Sequence, residues 1–365
     1  MKEPDFPNRE WQYRPSFYDL SNPSDLLKLN MLRMDGHIDQ EYDQIQSQLV
    51  DLYLCRFPAD GELSGFGDFL HSVLKGIPIE EFGLWVYYPW RRSLVHILSE
   101  EEFIEVRTNR NQLKIRSEEQ QLLRGKTIGI IGLSVGAAIA QTIAMERTCG
   151  RLKLADFDTL DLSNMNRLKS GVMDLGMPKV VLAAREIAQI DPYLEVEIFP
   201  LGMGKDNYTD FFGGGSPLDL LVEVCDGLQV KIESRMMARD LGVPVIMETN
   251  DRGMLDIERF DLEPGRPIFH GLLEGTDIGD PEKIDPAKRL EILMKIVDPR
   301  KISPRMQESL PMLGSRLKSW PQLASEVMLG AALCCWTARK LLLGEALASG
   351  RQYFDLHELL TGKPY

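Results

Sequence analysis

The stretch KTIGIIGLSVGAAIAQTIAMERTCGRLKLADFD, residues 126–158, decides the fold. KTIGIIG (126–132) is an apolar run of strand length that ends on a glycine. AAIAQTIAMERTCG follows with the composition of a helix closing on Gly150, and RLKLADFD supplies a second strand. The alternation continues downstream. Lys179 opens the helix KVVLAAREIAQI, stopped by Asp191-Pro192, and YLEVEIF is a third strand. LDLLVEVC (218–225) reads as a fourth strand buried on both faces, QVKIESRMMARDLG as a helix, and VPVIMET as a fifth strand. Strands alternating with helices of this length predict right-handed βαβ units, and so an α/β chain with a doubly wound, mostly parallel sheet.

Working outward, three zones separate by composition. Residues 1–100 are rich in aromatics and helix-type patterns and predict a mainly helical accessory region. Within it Ile45, Leu49, Leu52 and Tyr53 recur at helical spacing, and WVYYPW (85–90) reads as a strand stopped by Pro89. Residues 101–270 hold the α/β alternation. Residues 271–365 begin with a Pro- and charge-rich crossover and end in PQLASEVMLGAALCCWTARKLLLGEAL, an apolar helix or helix pair that packs back on the sheet. Cys334 and Cys335 within it read as core residues.

Composition narrows the function. The 365 residues are 44% apolar and 27% charged, the range of an ordinary globular chain. With 42 basic against 55 acidic residues the net charge is −13, which disfavours nucleic acid or an anionic membrane surface as partner. VMLGAALCCW, the longest apolar run, is about half of a membrane span. The first residues, MKEPDFPNREWQYRP, lack the apolar core of a secretory leader. The five cysteines lack paired spacing and no C-x-x-C occurs, so the expectation is reduced thiols, a cytoplasmic location and no tetrahedral zinc.

Gly132-Leu133-Ser134-Val135-Gly136 joins the first strand to its helix and admits three readings. It can be a phosphate loop, in which Gly132 and Gly136 let backbone approach a nucleotide at a helix N-terminus. It can be a G-x-S-x-G elbow with Ser134 as nucleophile, or simply a tight turn. Asp156 ends the second strand twenty residues after Gly136, where nucleotide-binding folds place an acid for ribose hydroxyls. An elbow has no use for that acid. It needs instead a downstream histidine, for which only His270 and His357 have the right order.

The continuation DFDTLDLSNMNR (156–167) carries two amides, two hydroxyls and an arginine. It resembles the D-F-D-x-V-x-x-S-N-x-x-R signature of the E1-like adenylating family, the ThiF, MoeB and MccB type. Further positions agree. Arg107-Thr108-Asn109-Arg110-Asn111 stands where the family has R-Y-x-R-Q, Glu119-Gln120 begins its E-x-Q-x-x-L, and Asp174-Leu175-Gly176-Met177-Pro178-Lys179 matches D-x-G-x-P-K. Asp226 matches the acid of the family's fourth-strand motif, and the resemblance covers about residues 105–260.

The resemblance implies a Rossmann-like adenylation domain that uses ATP and Mg²⁺. A carboxylate attacks the α-phosphate and yields an acyl-adenylate and pyrophosphate. It implies nucleotide contacts from Gly132, Ser134, Gly136, Asp156 and Asp158, with Asp156 on the ribose. Asn164, Arg167 and Lys179 would meet the triphosphate and Asp226 would hold the metal. Arg110, with Arg107 second, would reach the γ-phosphate from the other subunit of a homodimer. The implied acceptor is a ubiquitin-like protein or a peptide carboxylate. The chain departs from the pattern at Ser134, which replaces the second glycine of a loop here one residue shorter. The family's zinc cysteines are absent, and no cysteine has a thioester-forming context. A nucleotide-binding scaffold without turnover and an NAD-dependent oxidoreductase remain the alternative readings.

Overall fold

The computed structural model describes residues 11–276 and 284–363. The first ten residues of the stretch read for a leader, and residues 277–283 of the crossover, therefore lie outside the described residues. The chain divides into two compact units, one running to Glu118 and including Asp191–Tyr193, the other comprising Glu119–Ile190 and Leu194 onward.

The first unit contains β1 (Ser16–Tyr18), α1 (Pro23–Met34), β2 (Gln40–Asp43), α2 (Ile45–Arg56), α3 (Phe66–Leu74), β3 (Leu84–Tyr88), β4 (Ser93–Ile97) and α4 (Glu100–Thr108). Most of its regular structure is helical, as the sequence predicts, but it also carries a four-stranded sheet in the order β1-β3-β4-β2. Ile45, Leu49, Leu52 and Tyr53 are the buried residues of α2, and they pack with Phe69 and Leu98. Each such side chain contributes about 1.5–3 kcal/mol on burial. WVYY lies in the strand β3, which ends before Pro89 as expected. Three residues from much later in the chain complete this unit. Asp191 is wholly buried and the Tyr193 hydroxyl donates to the Leu98 carbonyl at 2.7 Å.

The second unit starts on the helix α5 (Ser117–Arg124) and is built on seven strands: β5 (Thr127–Ile131), β6 (Arg151–Ala155), β7 (Glu195–Phe199), β8 (Leu220–Glu223), β9 (Val245–Thr249), β10 (Met254–Glu258) and β11 (Gly350–Tyr353). Their order is β11-β10-β9-β8-β5-β6-β7. The five strands from β9 to β7 run parallel, and β10 and β11 extend the sheet antiparallel. The chain therefore winds one way from β5 through β6 to β7 and the other way through β8 to β9. The doubly wound α/β expectation holds.

Its helices are α6 (Gly136–Glu146), α7 (Lys179–Ile190), α8 (Tyr208–Phe212), α9 (Leu228–Leu241), α10 (Pro286–Val297), α11 (Pro304–Ser309), α12 (Ala324–Leu342) and α13 (Leu356–Thr361). The C-terminal apolar stretch is the single helix α12. It lies against α6, where Cys335 Sγ is 3.5 Å from Thr148 Oγ1 and Arg339 pairs with Glu146. Cys334 and Cys335 are core residues with no exposure. No helix among the described residues is long and apolar enough to cross a membrane.

One expected boundary moves. α6 ends at Glu146 rather than at Gly150, because Arg147 takes the left-handed conformation (φ 54°) and its carbonyl accepts from Gln120 Nε2 at 2.8 Å. Gly150 serves close packing instead, since a Cβ there would stand 1.8 Å from the Arg124 carbonyl oxygen.

Candidate functional site

The reversal of strand order places a crevice at the carboxyl ends of β5 and β8, where open α/β sheets bind ligands. Gly132 leaves β5 with φ 91°, and a Cβ on it would lie 2.7 Å from the Cys225 Cα just beyond β8. Any side chain at residue 132 would push the two strand ends apart. Gly136 opens α6, and a Cβ on it would be 2.8 Å from Ile130 Cγ2, so helix and strand touch. The α6 N-terminus thus faces the crevice.

Asp156 follows β6 and is 9% exposed. Its carboxylate accepts from the backbone N–H of Leu133 at 2.6 Å and of Asp158 at 2.7 Å. Burial pushes this carboxyl up from its ordinary value, and the two N–H donors and Lys179 offset part of that. A carboxylate has about four acceptor positions, so two remain for a ligand's hydroxyls. Asp156 therefore joins the glycine loop to the following strand while keeping the capacity expected of it.

Lys179 opens α7 at 7% exposure, and its ammonium pairs with Asp158 at 2.8 Å. Arg167 donates to Ser134 Oγ at 2.9 Å and to Asn166 Oδ1 at 2.9 Å, while its buried Nε has no partner. Burial disfavours the Arg167 charge, and the field of Asp226 opposes that effect. Leu133, Arg167, Lys169, Ser170 and Lys179 line one cleft, with Met328 of α12 on its wall. Ser134 thus has a guanidinium for a partner. His270 belongs to another cluster, bonded to Asp256 at 2.9 Å and to Arg266 at 2.9 Å.

Asn164 closes a turn, accepting from Asp161 N at 3.0 Å. Asp226 is exposed just past β8, and the helix after it is capped by Gly227 rather than by the Asp226 side chain. Arg110 lies in the one-turn helix Asn109–Asn111 of the first unit, and Arg107 on α4 pairs with Asp191 at 3.5 Å.

Three contributors were not anticipated from sequence. The Leu133 N–H and the Cys225 backbone act through main chain, which no side-chain pattern reveals. Glu223 is the third. Wholly buried at the end of β8, it accepts from the Cys225 N–H at 2.9 Å and from Lys231 at 3.1 Å, and it pairs with Arg235. Although burial favours its neutral form, Lys231 and Arg235 hold its carboxyl below the ordinary range. It stiffens the turn that presents Asp226. An acid inside the apolar run LDLLVEVC was the signal for such a buried pair.

Sheet, glycine loop and converging cations define a doubly wound α/β protein with a cation-lined crevice at its topological switch point. Residues 108–269 match the ThiF family, and the chain carries a ThiF-family domain over that stretch. The uncharacterized protein MT1398 of Mycobacterium tuberculosis (strain CDC 1551 / Oshkosh) is 43% identical over 331 residues, covering 90% of this chain and 46% of that protein. The tRNA threonylcarbamoyladenosine dehydratase of Bacillus subtilis (strain 168) is 30% identical over 156 residues, covering 42% of this chain and 60% of that protein. The molybdopterin-synthase adenylyltransferase of Haemophilus influenzae is 28% identical over 180 residues, covering 48% of this chain and 71% of that protein. The chain thus spans about half of the first relative's length and 60% of the second's.

Proposed function

We propose that the protein is an ATP-dependent adenylyltransferase that activates the carboxylate of a ubiquitin-like protein or peptide as an acyl-adenylate, releasing pyrophosphate. The observation that carries this reading is the convergence of Arg167 and Lys179 on one cleft beside the Gly132–Gly136 loop. The adenylyltransferase among its relatives supports the same role.

Chemistry of this kind is mostly positioning and charge neutralisation. The loop and the α6 N-terminus offer N–H groups to the phosphates, and Asp156 takes the ribose. Lys179 and Arg167 draw charge toward the leaving pyrophosphate, and the Asn164 amide lies in the same loop. Two unit charges about 4 Å apart interact by about 4 kcal/mol at an effective dielectric near 20, enough to outweigh a screened surface charge. Among the described residues no group of three or more His, Cys, Asp or Glu side chains forms a metal cage. Mg²⁺ asks for less: one or two carboxylates, phosphates and water. Exposed Asp226, with no hydrogen bond or ion pair among the described residues, fits that demand and would supply a ligand for an ion that neutralises phosphate charge.

Four of the five thiols are ill prepared to take the acyl group, and the fifth, Cys149, is fully buried. Burial pushes the Cys55, Cys225, Cys334 and Cys335 thiols up, the last to about 12, and Glu223 adds to the effect on Cys225. A nucleophilic thiol needs the opposite shift. The reading therefore ends at the acyl-adenylate, or at its transfer to a nucleophile outside this chain. Cysteines that stay reduced fit a cytoplasmic enzyme.

Pyrophosphate exchange into ATP, with candidate carboxylate acceptors, tests the reading. Arg167→Ala and Lys179→Ala are each expected to lower exchange by about a hundredfold or more. Their melting temperatures should shift by no more than about 4 °C, since Asp158 is half exposed and such pairs contribute little stability. Retained exchange with a lowered melting temperature would make both residues structural.

A further inference from the structure

A second cavity, of about 690 Å³, opens among the turn after β9, α11 and the first turns of α12. The start of α12 separates it from the nucleotide cleft: Met328 faces the cleft, while Ser325, Glu326 and Leu329 line the cavity. The two are also tied by hydrogen bonds. Asn166 Nδ2 donates to the carbonyl of Gln322 on the cavity wall at 2.7 Å, and Asn166 Oδ1 accepts from Arg167 at 2.9 Å.

Four carboxylates, those of Asp251, Glu308, Glu326 and Asp355, line this cavity against two guanidiniums. Asn250 is 6% exposed and lines the cavity, and its buried Oδ1 has no hydrogen-bond partner. Glu326 accepts only the Leu323 N–H, at 3.3 Å. Asp251 accepts from the Ser303 N–H and hydroxyl at 2.7 and 2.6 Å. Two residues before Asn250, Glu248 of β9 lies under Gly330 of α12 rather than on the cavity wall, 4% exposed and with neither carboxyl oxygen partnered. Among the described residues, neither Glu248 nor Glu326 forms an ion pair. Of the cavity's two guanidiniums, Arg252 is occupied by Asp355, Glu358 and the Lys301 carbonyl. Arg305 is exposed on α11, as is Glu308.

Buried acceptors without donors, and buried carboxyls without cations, are costly features that a ligand of opposite chemistry relieves. Burial pushes Glu248 up to about 8 and raises Glu326 too, with Glu326 adding to the first shift and Asp251 to the second. These carboxyls repel one another, and although Arg252 lies in the field of Asp251, no cation among the described residues pairs with Glu248 or Glu326.

We propose that this cavity holds a lysine or arginine side chain of a polypeptide whose C-terminal carboxylate lies at the nucleotide cleft. The acceptor is then a protein or peptide with a basic residue near its C-terminus. The carboxylate half of this statement rests on the adenylating reading above, and the cation half stands on the cavity alone.

The test uses fluorescent hexapeptides with a free C-terminal carboxylate and arginine placed in turn at each internal position. Matched peptides carry citrulline, the neutral isostere, or a C-terminal amide. Anisotropy with the full chain and Mg·ATP should show one position where arginine binds about tenfold tighter than citrulline. Glu326→Gln should erase that preference. Glu308→Lys, on an exposed helix face that tolerates substitution, should weaken the arginine peptide alone. No binding of any arginine peptide below about 1 mM, equal binding of the citrulline partner, or a preference that survives both variants overturns the proposal. Exchange measured on the same peptides separates the two readings. Arginine preference without exchange sinks the adenylating reading and keeps the cation site, whereas exchange without preference does the reverse.

Discussion

Ser134 is the residue at which the loop differs most from the pattern it resembles, and its environment says what the difference does. Its hydroxyl oxygen is held by Arg167, so the side chain that would otherwise crowd the loop serves as a resting place for a guanidinium. Ser134→Gly frees that guanidinium and removes a Cβ from the loop, at the cost of backbone entropy. ATP affinity in the variant, read by isothermal titration, is expected to stay level or rise. A fluorophosphonate probe should leave Ser134 of the parent unmodified, since no histidine activates it. Covalent labelling at Ser134 would restore the acyl-enzyme reading.

Among the elements, α12 and β9 meet at a point that makes two measurable statements. Gly330 sits over the Glu248 carboxyl, and a Cβ on it would stand 2.2 Å from Glu248 Cδ. Gly330→Ala should cost about 1–3 kcal/mol in chemical denaturation despite alanine's better helix propensity, because the helix must lift off the sheet. Glu248 itself titrates near 8 when folded, against an ordinary 4.5. The folded state then binds the extra proton, so stability falls as pH rises between about 4.5 and 8, by at most about 1.4 kcal/mol per unit. Glu248→Gln should flatten that slope in urea titrations across the same window, and an unchanged slope would assign it to another group. These elements also show what was legible beforehand. β5, β8 and β9 were plain because strands buried on both faces read as apolar runs, and β6 was found through the alternation of RLKLA. β10 was not, since Asp256 and Glu258 look like solvent-facing residues until Arg351, His270 and Arg235 are found pairing with them. The candidate residues were legible as types, from the glycines to Arg167, Lys179 and Asp226, and of these Arg167 and Lys179 share one cleft. Their partners were not, because Arg167 with Ser134 and Asp156 with Leu133 meet only through the fold. Nor does any sequence pattern announce that Glu248 and Glu326 have no ion pair among the described residues.

At the scale of the whole molecule, Arg110 carries the strongest untried expectation. If it completes a neighbouring protomer's site, Arg110→Ala and Lys179→Ala should each be inactive alone. Mixing them after co-refolding should restore about a quarter of parental exchange, since half the dimers are mixed and each has one intact site. No recovery, in a mixture shown by light scattering to be dimeric, would place Arg110 outside the reaction.

The return of Asp191–Tyr193 to the first unit has a consequence in time. That unit has most of its chain by Glu118, yet its buried Asp191 and the tyrosine that bonds Leu98 arrive roughly seventy residues later. At about 5–20 residues per second, a ribosome imposes a wait of several seconds before the last pieces emerge. During that interval β5, α6, β6 and α7 are threaded out between the two parts. The order of synthesis therefore holds back completion of the first unit until Tyr193 has emerged, by which time β5, α6, β6 and α7 of the second are already made, and a nascent chain arrested near residue 150 should show its tyrosine and tryptophan fluorescence still short of the native signal.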